Sequence, residues 1–152
     1  MTDPTEQHRQ ALNETGFWGR RAAGCVLLAE SSGRFLLPKR APGTLQAGTW
    51  GTWGGAVDDD ETPEDTVRRE LSEEAGYQGQ ATLYRLYTFS HQSGFTYHNF
   101  LAVIDKEFTP VINWETEVTD WFKFGHWPEP LHFGFQAVLD DAKSHATILA
   151  RL

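Results

Sequence analysis

The segment from residue 62 to residue 76 carries a complete set of local signals for one helix, and this helix constrains the fold most. Thr62 can cap its amino terminus, and Pro63 suits the first helical position. Gly76 is a natural left-handed terminator. Between them runs an apolar stripe at i, i+4 and i+8, formed by Val67, Leu71 and Ala75. The sequence therefore predicts a helix that packs one side against another layer of the fold.

Three glutamates of this helix, Glu70, Glu73 and Glu74, stand at i, i+3 and i+4. Residues so spaced share one face, and like charges there destabilise a helix by about 0.2–0.5 kcal/mol per pair. Glu73 and Glu74 also lie near the helix end that favours cations. A bound divalent cation would reverse both penalties, because it supplies the missing positive charge. The pattern therefore predicts a metal site, with a solvated acidic surface as the structural alternative.

These glutamates belong to a longer pattern that resembles the Nudix box, the signature of the Nudix hydrolases. It runs from Gly55 to Tyr77 as Gly-x5-Glu-x7-Arg-Glu-Leu-x-Glu-Glu-x-Gly-Tyr. Every motif position is matched except the last, where Tyr77 replaces the usual aliphatic residue. The resemblance implies the family's fold, an α/β/α sandwich with a mixed β-sheet between helices.

The resemblance also implies roles for residues of the box. Glu73 and Glu74 are implied to bind metal directly. Glu70 is implied to bind a further metal ion or to act as the base on the attacking water. The backbone carbonyl of Gly55 is implied as another ligand, and a side chain there would obstruct close approach.

Two residues of the box are implied to be supporting. The resemblance implies that Glu61 and Arg69 form a pair that ties the acidic loop to the helix and orients the glutamates. The local alternative is an i, i+4 pair from Asp65 to Arg69, which has the favourable orientation. Arginine offers five donors, so both pairs could coexist.

Three residues outside the box are further candidates. Glu115, with Glu117 as second choice, lies in a region that resembles a family loop whose acid can be a metal ligand or the base. Arg40 could contact a substrate phosphate bidentately. Trp53 could stack on a nucleobase, although core packing is the favoured role for this ring. An exposed loop acid and a surface arginine are the corresponding alternatives for Glu115 and Arg40.

The remaining sequence pattern predicts a mixed sheet between helices within one domain over residues 1–152. Predicted strands cover 21–30, 35–37, 50–57, 82–90, 95–105 and 121–124, and a closing helix covers 133–152. Residues 1–13 are typical of a polar tail or a short helix.

Composition narrows the classes of function. The formal net charge of −8 disfavours an extended nucleic-acid-binding surface. It agrees with an enzyme that needs a cation between itself and a polyphosphate. Cys25 is the single cysteine, which excludes an intramolecular disulfide and a cysteine-based zinc cluster. Neither a signal peptide nor a membrane-spanning run is found, so we expect a cytoplasmic protein.

Together these features predict a Mg²⁺-dependent hydrolase, in which Mn²⁺ can substitute, acting on a small-molecule nucleotide. It would cleave the pyrophosphate bond of a nucleoside diphosphate linked to a moiety X. Elimination of other branches of the family favours a nucleoside triphosphate, native or modified, giving a nucleoside monophosphate and pyrophosphate. The base, Glu70 or Glu115, and the oligomeric state stay open. The alternatives are a catalytically silent nucleotide-binding domain and an enzyme like the isopentenyl diphosphate isomerases, which use a catalytic cysteine.

Overall fold

A computed structural model describes residues 21–91 and 94–152, which form six strands and three helices. The strands are β1 Arg21–Ala29, β2 Arg34–Arg40, β3 Trp53–Ala56, β4 Thr82–Ser90, β5 Thr96–Ile104 and β6 Thr116–Lys123. The helices are α1 Pro63–Ala75, α2 Phe133–Asp140 and α3 Ala142–Leu149. The tail predicted over residues 1–13 lies outside the described residues.

All six strands belong to one mixed sheet in the order β4-β5-β1-β2-β6, with β3 also paired to β1. The β1–β5 pair is parallel and runs from Arg21 opposite Thr96 to Ala29 opposite Ile104. The other pairs are antiparallel. The first half of β1 pairs with β3 and its last residues pair with β2. The short β3 is therefore held at the centre of the sheet, just before α1.

Helices cover both faces of the sheet, which confirms the predicted α/β/α sandwich. One face packs against the apolar stripe of α1, and β1 contributes Cys25, Leu27 and Ala29 to this layer. The other face packs against α2 and α3, and β1 contributes Val26 and Leu28. Since both faces are covered, β1 is buried from residue 22 to residue 29. A strand buried on both sides reads as a continuous apolar run.

Helix α1 begins and ends where its local signals predicted. The Thr62 hydroxyl accepts a hydrogen bond from the Asp65 backbone N–H, and the Asp65 carboxylate accepts one from the Thr62 N–H, each at 3.1 Å. Gly76 ends the helix with φ of 71°. This capping box fixes the helix start, so the glutamates about two to three turns later have defined directions.

The prediction of one closing helix over 133–152 is wrong. The chain is extended at Asp141, with φ −76° and ψ 117°, and this residue separates α2 from α3. The Asp141 carboxylate accepts hydrogen bonds from the Ser144 N–H at 2.9 Å and from the Ser144 hydroxyl at 2.8 Å. This side chain therefore caps a new helix, an alternative to continuation that aspartate offers the backbone.

Three strands differ by several residues from their predictions. Strand β2 covers seven residues, Arg34–Arg40, where only 35–37 was predicted, because the segment pairs with β6 along its whole length. Strand β6 begins at Thr116, five residues before the predicted start, because the whole segment pairs with β2. Strand β3 covers only four residues, starting at Trp53. Among residues 21–91 and 94–152, every helix is too short or too polar to cross a bilayer.

Candidate active site

Helix α1 presents its glutamates in two different environments. Glu74 is buried, with 8% of its surface exposed, and its Oε1 accepts a hydrogen bond from the Gly54 N–H at 2.9 Å. The Glu70 side chain, one turn earlier, is 13% exposed. The Glu73 side chain is 56% exposed and accepts a hydrogen bond from Arg69 at 3.3 Å. The predicted common face therefore divides, with Glu70 and Glu74 inward and Glu73 toward solvent.

The two inward glutamates line a cavity of about 380 Å³. The glycines of β3, the loop after β2, strands β4 and β5, and the first turns of α2 form its remaining walls. Arg40 and Glu115 also line this cavity. Glu73 and Glu117 do not belong to its lining. Glu117 instead pairs with Lys39 at 3.6 Å on the exposed surface.

The cavity holds more negative charge than its surroundings neutralise. Burial, with the nearby Glu70 charge and then Glu115 adding to it, raises the pKa of Glu74 to about 9. Burial also raises the pKa of Glu70, against the opposing effect of Arg69. Desolvation and like charge together disfavour ionised carboxylates. Clustered carboxylate oxygens that lack positive charge suit a hard divalent cation such as Mg²⁺.

Within residues 21–91 and 94–152, no three acidic, histidine or cysteine side chains converge into a ready set of metal ligands. Mutual repulsion favours separation of carboxylates that share no cation. Their chemistry nevertheless fits the implied metal, because Mg²⁺ is held by one or two carboxylates together with substrate phosphate oxygens.

Arg69 connects three parts of the site. Its Nε and Nη2 donate to the two Glu61 carboxylate oxygens at 2.8 and 3.0 Å. Nη2 also donates to the Ala56 carbonyl of β3 at 2.9 Å, and Nη1 donates to Glu70 at 3.0 Å. The Glu61–Arg69 pair is therefore present, whereas the local alternative with Asp65 is absent from the ion pairs of the described residues.

The two hydrogen bonds from Arg69 make the Glu61 carboxyl group more acidic. Hydrogen bonding from Arg69 is the largest cause that lowers the pKa of Glu61 to about 2. The Glu61 side chain is 16% exposed, so solvent screens the pair only partly. A permanently ionised Glu61 holds the guanidinium in place, and the guanidinium in turn orients Glu70.

The glycines of β3 allow the strand to lie directly against the carboxylates. A Cβ on Gly55 would overlap the Glu70 carboxylate. A Cβ on Gly54 would lie 2.5 Å from the Ala23 carbonyl and 2.7 Å from the Tyr97 hydroxyl. Close backbone approach therefore requires glycine at both positions.

The assignment of Trp53 to substrate binding is wrong, and the favoured core role holds. Trp53 is 1% exposed, and its Nε1–H donates to the Leu36 carbonyl at 3.0 Å. Pairing of β3 with β1 places Trp53 opposite Cys25, on the face covered by α1. The side chain of the preceding Thr52 lines the cavity instead, because successive side chains of an extended chain alternate faces.

Several cavity residues were not predicted. Tyr87 of β4, Tyr97 and Asn99 of β5, and His132 before α2 all line the cavity. The Gly134 N–H donates to His132 Nδ1 at 3.0 Å, so this histidine caps α2. The only sequence signal was the polar pair Tyr97 and Asn99, two residues apart in a strand that otherwise turns apolar. The sequence did not show which elements would pack beside Tyr97 and Asn99.

Comparison with known proteins gives the family. The sequence model of the NUDIX domain matches residues 18–152. The chain belongs to the Nudix family. Its mixed sheet with helices on both faces is thus the Nudix fold.

Relatives with this Nudix fold include curated and solved proteins. The chain is 36% identical over 132 residues to a Mycobacterium tuberculosis protein named "Putative 8-oxo-dGTP diphosphatase 3", covering 80% of this chain and 61% of that protein. It is 30% identical to a Nudix hydrolase of M. smegmatis, with a TM-score of 0.73, covering 84% of this chain and 86% of that one. A MutT Nudix hydrolase of Burkholderia pseudomallei is also 30% identical, with a TM-score of 0.61, covering 81% and 97%. The chain thus spans about three-fifths of the curated relative's length.

Proposed function

We propose that this chain is a pyrophosphohydrolase that cleaves the pyrophosphate bond of a nucleoside diphosphate linked to a moiety X, with Mg²⁺ as cofactor and Mn²⁺ able to substitute. The favoured substrate is a nucleoside triphosphate, native or with an altered base, and the products are a nucleoside monophosphate and pyrophosphate. The name of the M. tuberculosis relative, which specifies a nucleotide diphosphatase, supports this choice.

The single observation that carries the proposal is the buried carboxylate pair, Glu70 and Glu74, at the wall of the cavity. A purely structural helix gains nothing from two buried acids whose pKa values are both raised. A polyphosphate substrate brings anionic oxygens. A cation between these oxygens and the glutamate carboxylates makes their approach favourable. The divalent ion would be held by Glu74, Glu73 and Glu70 with the Gly55 carbonyl, and it supplies charge neutralisation at the phosphate oxygens.

The remaining chemistry falls to residues of the cavity wall. Water attacks one phosphorus of the bridge, and the bond from that phosphorus to the bridging oxygen breaks. Glu70 or Glu115 accepts the proton of the water, and each lines the cavity. Arg40 neutralises a phosphate of the substrate, while Arg69 and Glu61 hold Glu70 in position.

The test is a panel of nucleoside triphosphates and other nucleoside diphosphate derivatives, assayed with Mg²⁺, with Mn²⁺ and with a chelator. Chromatography should show nucleoside monophosphate and pyrophosphate, and chelation should abolish turnover. Glu74→Gln should lose most activity, whereas the exposed Asp59→Asn serves as the matched loss of one negative charge and should retain it. Orthophosphate as the sole inorganic product, or preference for ADP-ribose or NADH, would contradict the assigned substrate.

The two alternative functions are a catalytically silent nucleotide-binding domain and a cysteine-dependent isomerase. A catalytically silent domain would show nucleotide binding without turnover in the same panel. An isomerase that depends on Cys25 is disfavoured, because this thiol is 1% exposed in the layer under α1 and does not line the cavity. Burial raises its pKa, so the reactive thiolate is suppressed. The cytoplasmic location stays a prediction from composition.

A further inference from the structure

Strand β4 contains an irregularity directly opposite Asn99. Arg85 pairs with Phe100, and Thr88 pairs with His98. Two residues of β4, Leu86 and Tyr87, therefore oppose the single residue Asn99. An extra residue of this kind is a β-bulge, and bulges near active sites change the direction of side chains.

Two side chains form hydrogen bonds with the backbone of the bulged Tyr87. Its N–H donates to Ser144 Oγ at 2.8 Å, and its carbonyl accepts from Asn99 Nδ2 at 2.9 Å. Ser144 is 2% exposed and Asn99 is 8% exposed. The Ser144 hydroxyl donates in turn to Asp141, the residue that separates α2 from α3. The helix break is thus connected by hydrogen bonds to the bulge in the cavity wall.

This network fixes the orientation of the Asn99 carboxamide. Nδ2 is committed to the Tyr87 carbonyl, so a flip of the amide would place two acceptors together. Among the described residues, no donor is bonded to Asn99 Oδ1. Since Asn99 lines the cavity, this oxygen is accessible to a ligand held there. Because this oxygen is open to the cavity, a ligand N–H can replace water there as its hydrogen-bond donor.

The surroundings of Asn99 suit a flat heterocycle. Tyr87, Phe89, Phe95 and Tyr97 pack together in this part of the fold, and all four line the same cavity. Aromatic side chains stack on nucleobases regardless of base identity. Discrimination therefore requires a polar group of fixed direction, and Asn99 Oδ1 is such a group.

We propose that Asn99 is a specificity-determining residue, whose Oδ1 accepts a hydrogen bond from an N–H group on the edge of the substrate's base. This inference rests on the proposed function, because it takes the cavity to be the nucleotide site. The recognised class is a base with a ring or exocyclic N–H at that edge, and derivatives alkylated there are rejected. A site with a group built to bond an N–H discriminates against an analogue that lacks it.

The test compares pairs of nucleotides in which methylation removes every N–H of one nitrogen: GTP with N1-methyl-GTP, and ATP with N6,N6-dimethyl-ATP. Wild type should favour the N–H form of at least one pair by about tenfold or more in kcat/KM. Calorimetry with the corresponding monophosphates, which are not substrates, should show the same preference in Kd. In Asn99→Leu the preference should fall to about one, with KM for the N–H form raised more than kcat is lowered.

Ser144→Ala is the matched control, because it removes the other hydrogen bond of the Tyr87 backbone and leaves the Asn99 side chain intact. It should lower the melting temperature and keep the preference for the N–H form. If Asn99→Leu does not fold, Asn99→Ala removes the same groups with less bulk. An undiminished preference in either folded Asn99 variant would overturn the inference.

The outcomes also separate this inference from the proposed function. Hydrolysis of the panel without discrimination within any pair would overturn the role of Asn99 alone. Discrimination in monophosphate binding that depends on Asn99, without hydrolysis of any compound in the panel of triphosphates and other nucleoside diphosphate derivatives, would support Asn99 and refute the hydrolase. No binding of any nucleotide would refute both.

Discussion

Replacing Glu74 by glutamine should make the metal-free protein more stable at neutral and alkaline pH. The change keeps the shape of the side chain and an oxygen that can accept the Gly54 N–H, but it removes the ionisable carboxyl group. In wild type the folded pKa of Glu74 is about 9, well above its usual 4.5. The folded state therefore binds a proton that the unfolded state releases, and stability falls as pH rises from about 4.5 through about 9.

The magnitude follows from this interval. Each pH unit inside it lowers the free energy of unfolding by about 1.4 kcal/mol for one such group. Three units, from 4.5 to pH 7.5, give an upper bound of about 4 kcal/mol. Glu70 shares the titration, and relaxation of the buried site reduces the effect, so we expect a gain of about 1–3 kcal/mol for Glu74→Gln at pH 7.5.

The assay is urea unfolding of both proteins in chelator at several pH values from 5 to 8.5, repeated with Mg²⁺. The difference between variant and wild type should grow with pH in chelator. Mg²⁺ should stabilise wild type, by about 2.7 kcal/mol at one hundred times its Kd, and should stabilise the variant much less. Glu73→Gln is the control, because its exposed side chain should leave the pH dependence unchanged while activity falls. A difference that stays constant across the pH range would refute the reasoning about Glu74.

Three further outcomes follow from the packing around the site. Trp53→Ala should lower the free energy of unfolding by about 3–5 kcal/mol, measured in urea, because it empties a core position. A variant that is as stable as wild type but binds substrate more weakly would contradict the core role. Glu61→Gln should lower the free energy of unfolding above about pH 4.5, and the difference from wild type should close as pH falls toward 2, because the pKa near 2 means that the pair with Arg69 stabilises the fold only while Glu61 is ionised; denaturant unfolding followed by circular dichroism at several pH values measures this. Gly55→Ala should reduce kcat about a hundredfold by displacing the Glu70 carboxylate, and unchanged kinetics would contradict the need for this carboxylate to hold its present position.

Local signals in the sequence predicted helix α1 well but failed at the closing helix. The start of α1 depends on Thr62 and Asp65, which are three residues apart, so no distant partner decides it. The apolar pattern of residues 133–152 continues through Asp141 without interruption. What breaks the helix there is competition between capping and continuation, and the Ser144 hydroxyl, which also binds Tyr87 of a distant strand, favours capping.

The candidate site was predictable where the family motif covers it and not elsewhere. Spacing placed Glu70, Glu73 and Glu74 on one helix, but which of them point inward depends on how α1 packs on β3. The side on which Trp53 faces depends on pairing with β1, a strand nearly thirty residues earlier. Asn99 gains its position from a bulge in another strand, and a bulge has no signature in the sequence of its partner.

The parallel pairing of β1 with β5 has a consequence for synthesis of the chain. Every pair in it joins residues 75 positions apart, as Ala29 and Ile104 are, so β1 cannot complete its central contacts until β5 has left the ribosome. At about 5–20 residues per second this delay lasts several seconds. During this delay β1, which is apolar on both faces, can pair only with β2 and the short β3. Nascent chains stalled before residue 104 should therefore be aggregation-prone, and full-length folding should be slow for a domain of this size.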